Sequence, residues 1–322
     1  MKIPNFVGPL KEEMTHFVKL KQLSGSDYAS QANRLLYFDR HLASRQPNDK
    51  ILTLETFQSY FDTITHLAKR TFSNYYSALK QFCTWLNQRE PNSYILPKCP
   101  YVDRSYSKAP YILSPNEIKL ILKNSLTFKR KEEYIPGLYQ TLFSLLYSTG
   151  IRIGEALALN YGDYNEKDKL IHVRKGKFNK ERYLILSNSA SNQLNEYIGH
   201  YKSKVTLEEE SPLFVNSYQN RMRRVNVYIA FQKILNKSSI KKDENGPKIH
   251  GFRHTFAIHR LLQWYKTEDD INSKLPYLST YMGHVKITST QIYLKATNEL
   301  MQSGSERFHT FFIKNINKGV NL

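Results

Sequence analysis

Three short segments of this 322-residue chain gather the side chains that phosphate chemistry without a metal would need. Such a reaction calls for a nucleophile at phosphorus, fixed cations on the two non-bridging oxygens and an acid for the leaving oxygen. Arginine suits the oxygens, because its planar fork donates two bonds at once and keeps its charge. The first segment is Ser148-Thr149-Gly150-Ile151-Arg152-Ile153-Gly154-Glu155. Arg152 and Glu155 stand three apart on one helix face, so the carboxylate can orient the guanidinium. The second segment is Lys248-Ile249-His250-Gly251-Phe252-Arg253-His254-Thr255-Phe256. His250 falls at a predicted helix start and Arg253 in its first turn. A cation there opposes the helix dipole, and a bound phosphate would remove the conflict. The third segment runs Leu278-Ser279-Thr280-Tyr281-Met282-Gly283-His284, followed by Ser289-Thr290-Gln291-Ile292-Tyr293.

Each segment also has a plainer reading. An isolated Arg-x-x-Glu is usually a surface ion pair. The chain has 23 tyrosines, and a phenol with a pKa of about 10 is a poor nucleophile unless a base or cations flank it. His250 and His254, four apart, could suggest a metal, but there is no His-Glu-x-x-His and no evident third ligand. The expectation is that no metal and no cofactor takes part.

The whole chain is basic, with 47 Lys and Arg against 28 Asp and Glu, a formal net charge of +19. That excess points to a polyanionic partner, and no apolar run is long enough to cross a membrane, so double-stranded DNA is favoured. The first six residues, Met1-Lys2-Ile3-Pro4-Asn5-Phe6, lack the apolar stretch of a secretory signal. Cys83 and Cys99 form no Cys-x-x-Cys pair and fit a reducing compartment. A cytoplasmic, nucleoid-associated protein is expected. Up to residue 110 there are 15 basic against 9 acidic residues, and beyond it 32 against 19, so both halves could close on a duplex. Arg221-Met222-Arg223-Arg224 marks a further candidate DNA contact at a predicted helix start.

The elements that must position these groups read as follows. Residues 10–90 carry helical stripes such as Leu35, Leu36, Phe38 and Leu42, or Phe57, Tyr60, Phe61 and Ile64. Residues 90–113 hold Pro91, Pro97, Pro100 and Pro110 with little periodicity and read as a linker. Ser114-Pro115-Asn116-Glu117 is a helix-start signature. Residues 169–174 and 181–186 alternate as strands, with Leu170, His172 and Arg174 on one and Tyr183 and Ile185 on the other. The turn between them, Lys175-Gly176-Lys177-Phe178-Asn179-Lys180, is basic. The fold expected is mainly α with a small antiparallel β-sheet. The expected domains are a helical one over 1–105, a linker over 106–113 and a catalytic one over 114–322.

The order Arg152, a basic turn with Lys175, His250-x-x-Arg253, Gly283-His284 and Tyr293 nine residues later resembles the tyrosine recombinase, or phage-integrase, family. The blocks Thr-Gly-Ile-Arg-Ile-Gly-Glu, His-Gly-Phe-Arg-His-Thr-Phe-Ala and Met-Gly-His each approach that family's pattern, and the N-terminal helices look like its core-binding domain. The resemblance implies that Tyr293 attacks one DNA strand and holds it as a 3′-phosphotyrosine. Arg152 and Arg253 would clamp the phosphate, and His250 and His284 would hydrogen-bond it, one of them helping to take the Tyr293 proton. Glu155 would support Arg152, and Lys175 would protonate the 5′ oxygen, with Lys177 the alternative in the same turn. The resemblance further implies a homotetramer on paired sites, exchanging strands through a Holliday junction without metal or ATP.

The run Leu275-Pro276-Tyr277-Leu278-Ser279 and the long stretch ahead of it look like recombinases of mobile elements, so integration or excision is expected. Chromosome resolution by a Xer-like enzyme is the nearest alternative. A type IB topoisomerase shares the chemistry but does not pair sites. A non-catalytic DNA-binding regulator and a metal-dependent nuclease are rivals of other classes. The acidic runs Glu208-Glu209-Glu210 and Asp269-Asp270, which a nuclease would need, read as solvated loops. After Tyr293, Phe308, Phe311, Phe312 and Ile313 form an apolar stripe suited to docking in the same chain or on a neighbour.

Overall fold

The computed structural model describes residues 3–45, 50–100, 110–126, 137–174, 176, 181–240, 246–267, 269–284, 288, 290–291 and 293–294. The chain divides into two compact units, Met1–Ser107 and Lys108–Leu322. Among the described residues the first contains four helices: α1 (Lys11–Leu23), α2 (Ala29–Arg45), α3 (Leu54–Thr63) and α4 (Lys69–Asn87). Their apolar stripes meet in a core of Met14, Phe17, Leu35, Phe38, Phe57 and Phe82. At the start of α3, Thr53 caps the helix by accepting from the Thr56 backbone N–H at 3.2 Å. Fully buried Asp39 accepts from the backbone of Val7 (2.7 Å) and Gly8 (2.9 Å), which ties the leading segment to α2.

The proline-bearing stretch after α4, read from sequence as linker, belongs in part to this unit. Tyr94 N–H donates to Leu52 O at 2.7 Å, and Leu96 is buried with its N–H on Cys83 Sγ. Prolines stop the helix there without stopping the packing.

The second unit begins with α5 (Pro115–Leu126), whose capping box is complete: Glu117 N–H donates to Ser114 Oγ, and Ser114 N–H to the Glu117 carboxylate. Helix α6 (Leu138–Thr149) is apolar on nearly every side, as a central helix must be, and packs against α5, α8 and α10. It ends at Gly150, whose φ of 62° suits glycine, and a Cβ there would meet the Phe256 ring at 2.5 Å. The short α7 (Ile153–Ala156) follows, then a three-stranded antiparallel sheet of β1 (Tyr164–Asn165), β2 (Leu170–Val173) and β3 (Arg182–Ile185). Helices α8 (Asn188–Lys202), α9 (Arg224–Lys237), α10 (Gly251–Lys266) and α11 (Ile271–Met282) follow. Phe143, Phe231 and Phe252 meet at its centre. Each such ring adds about 1.5–3 kcal/mol by leaving water.

The fold class is as the sequence suggested, and packing sets the phase of the sheet. Ile171 and Val173 face the core opposite Leu184 and Arg182, while Tyr183 and Ile185 are 61% and 68% exposed. A strand's faces swap with a shift of one residue, and alternation alone does not say which face is covered. The helix of the Arg152-x-x-Glu155 pair is only the four residues of α7, with Arg152 at its N-cap, and α9 starts at Arg224, within the basic run expected at a helix start.

Candidate active site

Helix α11 ends in a Schellman motif: His284 N–H donates to Ser279 O and Gly283 N–H to Thr280 O, both at 2.9 Å. Gly283 takes φ 68°, the left-handed conformation that this ending needs. The next three carbonyls in line are each taken by a different arginine. Arg182 Nε donates to Tyr281 O (2.9 Å), Arg253 Nη2 to Met282 O (2.6 Å) and Arg152 Nη2 to Gly283 O (3.2 Å). Cations at a helix C-terminus are favourable, so this end stabilises a cluster of positive charge that would otherwise repel itself.

Arg253, only 2% exposed, also donates to Gly150 O at 2.6 Å, at the end of α6. The conflict foreseen between Arg253 and its own helix is thus eased by the C-terminal ends of two other helices. Burial, then the charge of Arg152, pulls the Arg253 guanidinium down to about 10, so it stays charged near neutrality.

Glu155 joins two of the arginines. It accepts from Arg152 Nη1 at 2.9 Å and from the Arg152 backbone N–H at 3.1 Å. Arg182 donates to it through Nη2 (2.7 Å) and Nη1 (3.3 Å). Burial pushes the Glu155 carboxyl up, but the hydrogen bonds and charges of Arg182 and Arg152 outweigh it and hold the group below its ordinary value. Three arginines against one carboxylate leave the site with a surplus of two positive charges.

Two histidines flank the arginines, and their surroundings disfavour the charged form. His250 stands at the N-cap position of α10 without a side-chain capping bond, and His284 follows Gly283 with Nδ1 2.8 Å from the hydroxyl of fully buried Thr290. Burial first, then the arginine charges, lowers both, His284 to about 4. Thr288, Thr290, Gln291, Tyr293 and Leu294 have helical backbone. That places Tyr293, 4% exposed, against this group, with its ring 6.3 Å from His284 and 5.5 Å from His254. Its hydroxyl lies 3.0 Å from His254 Nδ1. Burial raises the phenol above its ordinary value, and the charges of Arg253 and Arg152 offset only part of that.

Arg152, Glu155, His250, Arg253, His284 and Tyr293 therefore converge. Lys175 and Lys177 lie outside the described residues, as do Phe308, Phe311, Phe312 and Ile313. Arg221 turns inward: its guanidinium donates to Leu157 O, Leu159 O and Asn160 Oδ1, while Arg223 and Arg224 are exposed. The acidic run Glu208-Glu209-Glu210 is exposed, as expected, and Glu210 also accepts from Arg174 at 3.1 Å and from Asn160. Among the described residues no three His, Cys, Asp or Glu side chains are grouped to hold a metal, and no helix is long and apolar enough to cross a membrane.

Sequence reasoning missed Arg182, Thr290 and the part of His254 on the tyrosine. Arg182 had a signal, an arginine in phase with Leu184 on the core face of a strand. Thr290 and the shared carbonyls had none, because they depend on how the end of α11 meets α10.

The profile of the phage integrase family matches residues 112–299, more than half of the chain and all of this site. The chain belongs to the phage integrase family of tyrosine recombinases. An integrase/recombinase of Sinorhizobium fredii is 29% identical over 71% of this chain and 75% of its own length. The tyrosine recombinase XerD of Oceanobacillus iheyensis is 24% identical over 92% and 97%. Among solved structures, the XerH site-specific recombinase bound to its palindromic difH substrate shares the fold at a TM-score of 0.66, with 17% identity over 95% of this chain and 99% of that one. The Tn1549 transposon integrase with transposon right end DNA does so at 0.62, with 17% identity over 92% and 98%. This phage-integrase chain is accordingly an enzyme of the tyrosine recombinase class.

Proposed function

We propose that this recombinase cuts one strand of duplex DNA with Tyr293, keeps it as a 3′-phosphotyrosine, and rejoins it to a second duplex through a Holliday junction. The observation that carries the reading is the convergence of Arg152, Arg253, His250 and His284 on the buried Tyr293 side chain. Arg152 and Arg253 have N–H groups beyond those given to carbonyls and Glu155, enough to take both non-bridging oxygens. The surplus of two positive charges suits a phosphorane that carries two negative charges in the transition state. Neutral His250 and His284 can donate to the same oxygens without adding charge. Lys175, or Lys177 beside it, serves as acid for the 5′ oxygen. Energy is conserved in the phosphotyrosine, so neither metal nor ATP is consumed.

Both basic halves contact the duplex, the first as a core-binding domain, with Arg223 and Arg224 on phosphates. Four copies assemble on two sites. The role is integration or excision of a mobile element, supported by the Leu275-Pro276-x-Leu278-Ser279 run of α11.

The test uses a duplex enriched from a randomised pool by binding to the full chain. A plasmid with two direct copies of that duplex should resolve into two circles in EDTA without ATP. Relaxation without resolution would favour a topoisomerase. Cleavage only with added Mg²⁺ would overturn the reading. Enrichment of sequences from the ends of a mobile element, rather than from a replication terminus, would separate the element role from chromosome resolution.

A further inference from the structure

His254 stands one helical turn beyond His250 on α10, and the two rings meet edge to face with centroids 4.6 Å apart. Its Nδ1 lies 3.0 Å from the Tyr293 hydroxyl. His284, the other histidine beside the tyrosine ring, has its Nδ1 engaged by Thr290. His254 is therefore better placed on the hydroxyl than His284, and His250, one turn back, faces the arginines. We infer that His254 is a further acid–base residue of this site: it holds the Tyr293 hydroxyl in the free chain and takes its proton as the oxygen attacks phosphorus. This rests on Tyr293 being the nucleophile.

The step balances as follows. The Tyr293 O–H bond breaks and leaves its electron pair on oxygen, while Nδ1 gains the proton. In this role Nδ1 is the acceptor and Nε2 carries the ring hydrogen. The tyrosine oxygen bonds to phosphorus, the bond to the 5′ oxygen breaks, and that oxygen takes a proton from the lysine acid. Religation reverses each transfer, and the imidazolium returns its proton to the tyrosine oxygen.

The pair is quiet without DNA. The groups facing it are His250 and Arg253 from α10, Arg152 before α7 and His284 after α11. Burial, then His250 and Arg253, works against a proton on His254, and burial keeps Tyr293 protonated. A phosphodiester anion seated on Arg152 and Arg253 cancels part of that positive field. The imidazole then gains proton affinity only when a phosphate is in place, which couples activation of the nucleophile to binding of the substrate.

The experiment compares the full chain with His254→Ala and His254→Asn on the enriched duplex, nicked so that the cut fragment is lost. Asparagine keeps a hydrogen-bonding group near the Nδ1 position but cannot take a proton. Both variants should form the covalent adduct roughly 100-fold more slowly, with DNA affinity within about twofold of the parent, since phosphate contacts carry the affinity. Added imidazole should speed His254→Ala by about tenfold or more and leave His254→Asn unchanged, because the asparagine side chain occupies the space that imidazole must enter. Parental rates in either variant, an imidazole-insensitive loss in His254→Ala, or affinity lost in step with rate would overturn the inference. An adduct that persists in Tyr293→Phe would instead remove the nucleophile assignment on which it rests.

Discussion

Arg253 and Arg152 donate to consecutive carbonyls at the end of α11, Met282 O at 2.6 Å and Gly283 O at 3.2 Å. The two residues come from segments 101 positions apart, and the end of one helix sets the spacing of their guanidinium groups. The same helix end carries His284 at its closing turn. The proposed phosphate clamp and the proposed phosphate-facing histidine thus share one helix end, and disturbing any part of it should be felt by the rest.

Arg182 is the third member of that construction. Arg182→Ala removes the donors to Tyr281 O and Glu155, and Glu155→Gln removes the charge that Arg182 and Arg152 share. Each should cost about 3 kcal/mol of stability, because a buried charge loses its partner. Each should also slow adduct formation by more than it weakens DNA binding. Chemical denaturation and single-turnover cleavage check this, and a pair of near-neutral variants would contradict it.

Acid should loosen the site in a defined window. His254 and His284 are held at about 4 in the folded chain by burial and neighbouring positive charge, against about 6.5 when unfolded. Between those values the unfolded chain binds more protons, so stability is complete above about 6.5 and falls as the pH drops towards 4. His250 and His259 shift in the same direction. The Glu155 contribution is present above its ordinary value of 4.5 and is lost as the pH falls through its depressed folded value. The thermal midpoint, followed from pH 7 to 4 at fixed ionic strength, should drop. A flat or rising midpoint would contradict the shifts.

Much of this was legible in the sequence. Arg152-x-x-Glu155, His250-x-x-Arg253 and Gly283-His284 are local patterns, so residue types at fixed spacing sufficed to name them. The start of α5 could be read from Ser114 and Glu117 because a capping box is closed by neighbours in the chain. Arg182 was hidden by the phase of β3, which only packing decides, and Arg221 looked like a DNA contact until its carbonyl partners at Leu157 and Leu159 were seen. Segment contacts with large sequence separation leave no periodic trace.

DNA binding should depend strongly on salt. If about eight phosphates are neutralised, the logarithm of affinity should fall against the logarithm of salt with a slope of roughly −7. Titration of the enriched duplex at several salt concentrations measures it. A slope near zero would remove the charge argument for the +19 chain.

The acid of the basic turn can be assigned by its leaving group. Lys175→Ala should slow cleavage far more than binding, because an acid acts only in the transition state. A substrate with a 5′-bridging sulfur needs no proton on departure and should restore the rate. Rescue of Lys177→Ala instead would move the assignment two residues along.

The most direct test of the account locates the covalent bond. The full chain is incubated in EDTA with the enriched duplex nicked just past the cut, so that the released fragment diffuses away. The protein–DNA adduct is then denatured, digested and read by mass spectrometry. The account predicts a 3′-linked nucleotide on the peptide containing Tyr293, and no adduct from Tyr293→Phe despite DNA affinity close to that of the parent. A nucleotide on Tyr281 or another tyrosine, or no adduct on a duplex that the chain binds and recombines, would contradict it.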